Sequence, residues 1–315
     1  MSAMGFKLGL DVFVLGAGFS RAVSQRMPLM GDLSDGVRVA LNDKLEDRHR
    51  RHADNIETFL TYLVSAKPWI SAADRLRDEA LFLDASVRIA RFIEAVNLSD
   101  SDVSPWLDKI VRTWVSTKAH VITLNYDLTV EDAFQRLDAT VDLAVLYPVV
   151  VSPLMGRVGG TFSGRMARSL QLYKLHGSIN WLYSGSPGAS GEPLYRGKPT
   201  DEVARDKVPL IAPPVFDKSV YWKHESLVAT WRFAGRALAW AKRVIFIGYS
   251  LPETDLSMRC FIRDSCHPDT SVVVVNRDGT VRDRYESLGL KMDPAVYSGD
   301  TAVADFVDWY VRSVS

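Results

Sequence analysis

DVFVLGAGFS, residues 11–20, is a short apolar run that stops on a pair of glycines. Asp11 to Leu15 is rich in β-branched residues, the pattern of a buried parallel strand that feeds a helix N-terminus. Gly16 and Gly18 lack Cβ atoms, so backbone N–H groups there can come close to a phosphate, and the following helix start adds a favourable dipole. The third glycine of the dinucleotide-binding fingerprint is missing, because Arg21 stands in its place. No acidic residue closes a second strand about 20 residues on, as the fingerprint requires. An ordinary dehydrogenase is therefore excluded. Taken alone, GAG also fits a purely structural strand-to-helix turn.

Four more apolar runs end the same way. HVITL (120–124) leads into Asn125-Tyr126-Asp127, and QLYKL (171–175) leads into His176-Gly177. VIFIG (244–248) ends on Gly248 before Tyr249-Ser250, and SVVVV (271–275) precedes Asn276-Arg277-Asp278. An open α/β sheet carries its ligand groups at the carboxyl ends of its strands. Between the first two runs, residues 33–118 show helical spacing in IETFLTYLVSA and ALFLDASVRIARFIEAV, and Pro105 opens another helix, WLDKIVRTWVSTK. Residues 183–220, dense in Gly, Pro and charge, read as a long irregular stretch. VADFVDWYVRSV at the end spaces its apolar residues as a final helix. The expectation is one α/β domain over residues 1–315: a Rossmann-like, mostly parallel sheet flanked by helices on both faces, with right-handed crossovers and a helical insertion at about 33–118.

Composition narrows the function. Lys plus Arg and Asp plus Glu each number 38, so the net charge is zero and a dedicated nucleic-acid binder is not expected. The run Arg48, Arg50, Arg51 reads as a solvated helix face. Two cysteines, Cys260 and Cys266, cannot build a four-cysteine zinc ribbon, and both read as reduced core residues. The start, MSAMGFKLGL, does not read as a signal peptide, and no run reaches the roughly 18 apolar residues of a membrane span. A cytoplasmic location without membrane contact is expected.

Several strand-end residues can do chemistry. Asn125 can hold a ribose hydroxyl and a water together, and Asp127 can accept from a carboxamide. Each also has a local reading, Asn125 as a turn residue and Asp127 as a helix N-cap before LTVEDAF. His176 is the side chain suited to moving protons near neutral pH, and Gly177 leaves room for a ligand beside its ring. A histidine satisfied by backbone at a strand end is the local alternative. The other five histidines, at 49, 52, 120, 224 and 267, have no comparable setting. Ser250 and Asn276 can bond phosphate or ribose oxygens, or simply cap their loops.

The ordered set GAGFS, TLNYD, KLHGS, IGYSLPETD and VVNRD resembles the sirtuin family, and most nearly its prokaryotic sirtuin-like NADases of antiviral defence. PLIAPPVFDK (209–218) resembles that branch as well. The resemblance runs from residue 11 to about 278 and leaves out the helical insertion and the tail. It implies that Gly16, Ala17, Gly18 and Ser20 line the pyrophosphate and ribose of NAD. Asn125 positions the nicotinamide ribose and attacking water, Asp127 binds the carboxamide, and His176 is the general base. Ser250 and Asn276 hold the adenosine half, and Gly248 joins the cofactor-binding set. Two departures stand out: the zinc ribbon is absent, so no metal is expected, and the usual glutamate after Val-Asn is Asp278, which is left out of the site.

The activity implied is cleavage of the nicotinamide–ribose bond of NAD, giving ADP-ribose and nicotinamide. An NAD-dependent protein deacylase and a non-catalytic NAD or ADP-ribose sensor are the alternatives. The resemblance further implies an effector that depletes NAD in anti-phage defence through abortive infection. It would be a homo-oligomer under a separate partner such as a HerA-type translocase or an Argonaute-type protein.

Overall fold

Asp11–Leu15 (β1) lies at the centre of the molecule because both of its faces are apolar: Val12, Phe13, Val14 and Leu15 are at most 1% exposed. The computed structural model describes residues 9–96, 98, 100–154, 169–185, 191–198, 200–212 and 224–314. After β1 come six helices: α1 (Ala17–Val23), α2 (Met30–Leu41), α3 (Asp47–Arg50), α4 (Ile56–Val64), α5 (Ala72–Glu94) and α6 (Trp106–Thr117). Then follow β2 (His120–Thr123), α7 (Thr129–Leu137), β3 (Val151–Pro153), β4 (Gln171–Lys174), β5 (Gly177–Tyr183), β6 (Leu194–Arg196) and β7 (Val208–Ile211). The chain ends with α8 (Glu225–Trp240), β8 (Arg243–Ile247), α9 (Leu256–Ser265), β9 (Ser271–Val275), α10 (Val281–Glu286), β10 (Lys291–Met292) and α11 (Ala302–Val314).

Six strands pair in the order β10-β9-β8-β1-β2-β4, every pair parallel. Successive strand residues alternate between two cores. Phe13, Leu15, Val121, Leu172, Ile245 and Val273 face α1, α2, α4, α5, α6, α7 and α11. Val12, Val14, Ile122, Tyr173, Phe246 and Val274 face α8, α9 and α10. On α6, Trp106, Ile110, Val111 and Trp114 share one face, and the Trp114 ring lies 5.1 Å from that of Phe13. The strand order reverses at β1, between β8 and β2, which places the ligand crevice of such a sheet beyond the carboxyl ends of β1 and β8.

A second sheet corrects the expected irregular stretch at 183–220. Its order is β3-β6-β5-β7, with β5 antiparallel to both of its neighbours. β6 and β7 lie inside that stretch. They are three and four residues long and owe their form to pairing with β5, so their own periodicity is too short to read. β7 tolerates Pro209 because it is an edge strand. Residues 213–218 of PLIAPPVFDK lie outside the described residues.

Two smaller expectations also change. Arg48 does not lie on a solvated face: it reaches Asp78 of α5 at 2.8 Å, beside His49 Nε2 at 2.9 Å and Lys67 Nζ at 3.0 Å. Asp78 and His49 are buried, so this cluster clasps α3 to α5. Cys260 is exposed on α9, and only Cys266 is a core residue. Among the described residues, no helix is long and apolar enough to cross a membrane.

Candidate functional site

The carboxyl ends of β1, β2, β4, β8 and β9 open into one cavity of about 520 Å³. Gly16, Ala17, Gly18 and Ser20 line it from the first strand end, and Asn125 and Asp127 from the second. His176 enters from β4, Gly248 and Ser250 from β8, and Asn276 from β9. All ten residues singled out in the sequence therefore meet at one place. Met27, Leu29, Leu33 and Ile93 close the cavity from the helical side. No sequence signal marked these four: Leu33 and Ile93 are apolar residues of α2 and α5, and Met27 and Leu29 sit in the α1–α2 connection, where an apolar side chain looks alike whether it faces core or ligand.

A chain of hydrogen bonds links the first two strand ends. Asn125 Nδ2 donates to the Gly16 carbonyl and to Ser20 Oγ, each at 2.9 Å. Ser20 Oγ donates to Asp127 Oδ2 at 2.7 Å. Thr123 Oγ1 accepts the Asn125 N–H at 3.1 Å, which fixes the turn at the end of β2. Asp127 Oδ1 accepts the Thr129 N–H at 3.0 Å, but the cap of α7 is Leu128, so Asp127 is not the expected N-cap: it stands one residue earlier and ties the turn to the first residue of the helix. Asn276 caps its own loop, its Oδ1 accepting from the Asp278 N–H at 3.2 Å.

His176 is 8% exposed, and its ring sits between those of Tyr126 and Trp231 at 6.3 and 6.4 Å. Its carbonyl accepts from the Ala212 N–H at 2.7 Å, and Trp231 Nε1 donates to the neighbouring Leu175 carbonyl at 2.9 Å. Backbone bonds on both sides therefore set the ring at the mouth of β4.

The glycines have a different reason from the one read in the sequence. A Cβ on Gly18 would lie 2.8 Å from Gly248 Cα, and one on Gly16 would lie 2.6 Å from Tyr249 Cα. The Gly16 and Gly18 N–H groups are donated to the carbonyls of Ile247 and Gly248. The loop is thus bare so that two strand ends can pack backbone to backbone, and those two N–H groups are not turned to a ligand. Gly177 makes no room beside the His176 ring either. Its φ is +77°, and a Cβ there would lie 1.9 Å from the Leu210 carbonyl oxygen, so it lets β5 turn against β7.

Beneath the cavity lies a buried pair that sequence reasoning missed. Lys174 Nζ sits 2.9 Å from Glu131 Oε1, with side chains 0% and 1% exposed. The same ammonium donates to the Asp127 carbonyl at 2.5 Å, and the Tyr147 hydroxyl donates to Glu131 Oε1 at 3.0 Å. Burial and the Glu131 carboxylate hold the Tyr147 phenol well above its ordinary pKa, so it stays a donor. A lysine closing an otherwise apolar strand was the available signal. Removing Lys174 alone strands a buried carboxylate, and Lys174→Met is expected to cost about 3–5 kcal/mol in a denaturant titration.

The residues do not fit a zinc ribbon. The chain has two cysteines, Cys260 exposed and Cys266 buried with its thiol pushed up to about 12 by burial. Among the described residues no group of three or more His, Cys, Asp or Glu could hold a metal ion.

A family model described as a SIR2-like domain matches residues 119–287. The match takes in Asn125, Asp127, His176, Gly248, Ser250 and Asn276 and leaves out the loop at 16–20. No curated protein matches the chain. Among solved structures, the chain is similar to one from work on the mechanism and regulation of Sir2 enzymes, at 12% identity and a TM-score of 0.44, covering 96% of this chain and 93% of that one. Another, from work on sirtuin substrate affinity, is 14% identical with a TM-score of 0.45, over 96% and 93% of the two chains. A third, a Sir2 protein in complex with an inhibitor, 2'-O-acetyl-ADP-ribose and a deacetylated p53 peptide, is 15% identical with a TM-score of 0.39, over 97% and 95%.

Proposed function

The chain belongs to the SIR2-like domain family, and on that premise we propose that it cleaves the nicotinamide–ribose bond of NAD, releasing nicotinamide and ADP-ribose. The observation that carries this reading is the meeting of Asn125, Asp127 and His176 from two strand ends in one cavity at the switch point of a parallel sheet. Nicotinamide leaves its cationic ring as a neutral base, so the leaving group needs no proton. A glycosidase that expels an alkoxide needs a second carboxyl as general acid. Here one base and one positioning group suffice. His176 takes the proton of a water or ribose hydroxyl. Asn125, tied to Gly16 and Ser20, places the ribose and the water. Asp127 keeps lone pairs for the carboxamide, while Ser250 and Asn276 serve the adenosine half.

The deacylase alternative is disfavoured by the two-cysteine count, which rules out the ribbon that braces the deacylases' small domain. Incubation of pure protein with NAD, with and without an acetylated peptide, separates the readings. Free ADP-ribose without peptide supports the hydrolase. Peptide-dependent acetyl transfer supports the deacylase, and tight binding without product supports a sensor.

Two further outcomes are expected. Asn125→Ala lowers kcat by about 10²-fold with a smaller change in NAD affinity, because it removes placement more than contact. A loss confined to affinity would make Asn125 a binding residue only. Turnover survives chelators, and elemental analysis that finds one zinc per chain would contradict this.

Unregulated NAD hydrolysis would kill the cell that makes the enzyme, so its activity must be held off until needed. On that ground the proposal extends to an NAD-depleting effector of anti-phage defence, close to the prokaryotic defence NADases. It would act in the cytoplasm as a homo-oligomer under a separate partner, a HerA-type translocase or an Argonaute-type protein.

A further inference from the structure

We infer that Lys174 is a positioning residue that locks the Asn125–Asp127 turn against the strand carrying His176, an inference that rests on the NAD-cleavage reading of that cavity. Lys174 and His176 stand two residues apart at the end of β4. In the β2–β4 register Lys174 lies opposite Thr123, whose hydroxyl holds the Asn125 N–H. Its ammonium crosses to the Asp127 carbonyl at 2.5 Å, on the far side of the turn. The turn is thus held at both ends from β4 or its partner strand, and His176 reaches the cavity two residues beyond the same lysine.

The side chain of Asp127 then passes this order on. Its carboxylate takes the Ser20 hydroxyl, and Ser20 Oγ accepts from Asn125 Nδ2, which also reaches the Gly16 carbonyl. A single buried ammonium therefore stands under a bonded path that joins three strand ends. Glu131 supplies the counter-charge and comes from α7, the helix that leaves the turn, so the lysine fixes the turn and its following helix together. An apolar side chain would fill the same volume as Lys174 but would leave the Asp127 carbonyl without this donor. A buried ion pair is a poor device for stability compared with apolar packing, which is the reason to look for what this one holds in place.

The test uses the double variant Lys174→Met, Glu131→Gln. It removes both charges at once, and the new amide keeps a carbonyl oxygen to accept from Tyr147, so it avoids the stranded charge of either single change. The double variant is expected to fold and to bind ADP-ribose within about threefold of the parent. Amide exchange across residues 125–129 should rise by about tenfold or more, while that of β9 stays unchanged. Turnover of NAD should fall by about 10–100-fold in kcat with little change in KM, the mark of lost placement. Lys174→Arg in the parent background, which keeps a donor for both Asp127 and Glu131, should recover part of the exchange protection.

Unchanged exchange at 125–129 in the folded double variant would overturn the inference, and so would parental kcat. If the parent protein turns over no NAD, the cavity reading itself fails. The exchange measurement then still decides whether Lys174 holds the turn.

Discussion

His176→Ala is expected to lower NAD cleavage by about 10²–10⁴-fold, the usual contribution of a positioned general base. The fold should persist, because two of the bonds that fix this position belong to the backbone. The His176 carbonyl accepts from Ala212, and the adjoining Leu175 carbonyl is held by Trp231. Neither bond involves the imidazole. The ring does fill space between Tyr126 and Trp231, so a modest drop in melting temperature is expected. ADP-ribose binding, measured by calorimetry, should stay near the parental value, since the adenosine half is assigned to the β8 and β9 ends. A folded His176→Ala protein with parental turnover would remove the histidine from the mechanism.

The second large effect concerns stability. Gly248→Ala is expected to destabilise the protein by about 4 kcal/mol or more, at the exceptional end for a single change. Gly248 has φ +65°, and a Cβ there would lie 2.1 Å from the Phe19 nitrogen and 2.3 Å from the Gly18 carbonyl carbon. Both neighbours are backbone at the start of α1, and neither can move aside without opening the sheet at β1 and β8. Gly289→Ala is the matched control. Its φ is +77°, with nothing within 4 Å of the added methyl, so it should cost only the left-handed penalty of about 1–2 kcal/mol. Thermal melts of the two variants compare clash with strain. Equal losses would mean that the packing of Gly248 on the Gly18 loop contributes nothing. Gly18→Val should behave like Gly248→Ala, as an unfolding change more than a block to NAD.

Five strands of the parallel sheet were readable because they are buried on both faces, whereas β10, two residues long and not buried at the sheet edge, was not. DVFVL, VIFIG and SVVVV are near-continuous apolar runs, and such runs announce themselves without reference to a partner. That these strand-end residues would share one cavity was readable for a related reason. In a parallel sheet every carboxyl end points the same way, so a polar motif after each strand implies one shared edge. Asn125, Asp127, His176, Ser250 and Asn276 line one cavity.

The second sheet was not readable. β6 and β7 are too short to show a period, and they exist because β5 offers them a ladder of backbone partners. Arg48 was misread because a charge run looks solvated until a buried Asp78, 30 residues away, is brought beneath it.

Residue order alone was enough to specify five of the six strands of the large sheet, the edge at which their polar motifs gather and a cysteine count too low for a four-cysteine metal site; β10, two residues long, was not among them. These follow from composition and local period, which a linear string carries in full. Why the glycines are there, which apolar side chains roof the cavity and what lies beneath it emerged only in three dimensions. Gly18 is small for the sake of Gly248, and Lys174 is charged for the sake of Glu131 and the Asp127 carbonyl. Each of those reasons is a contact between residues far apart in the chain, and close packing sets such contacts only once the backbone has folded.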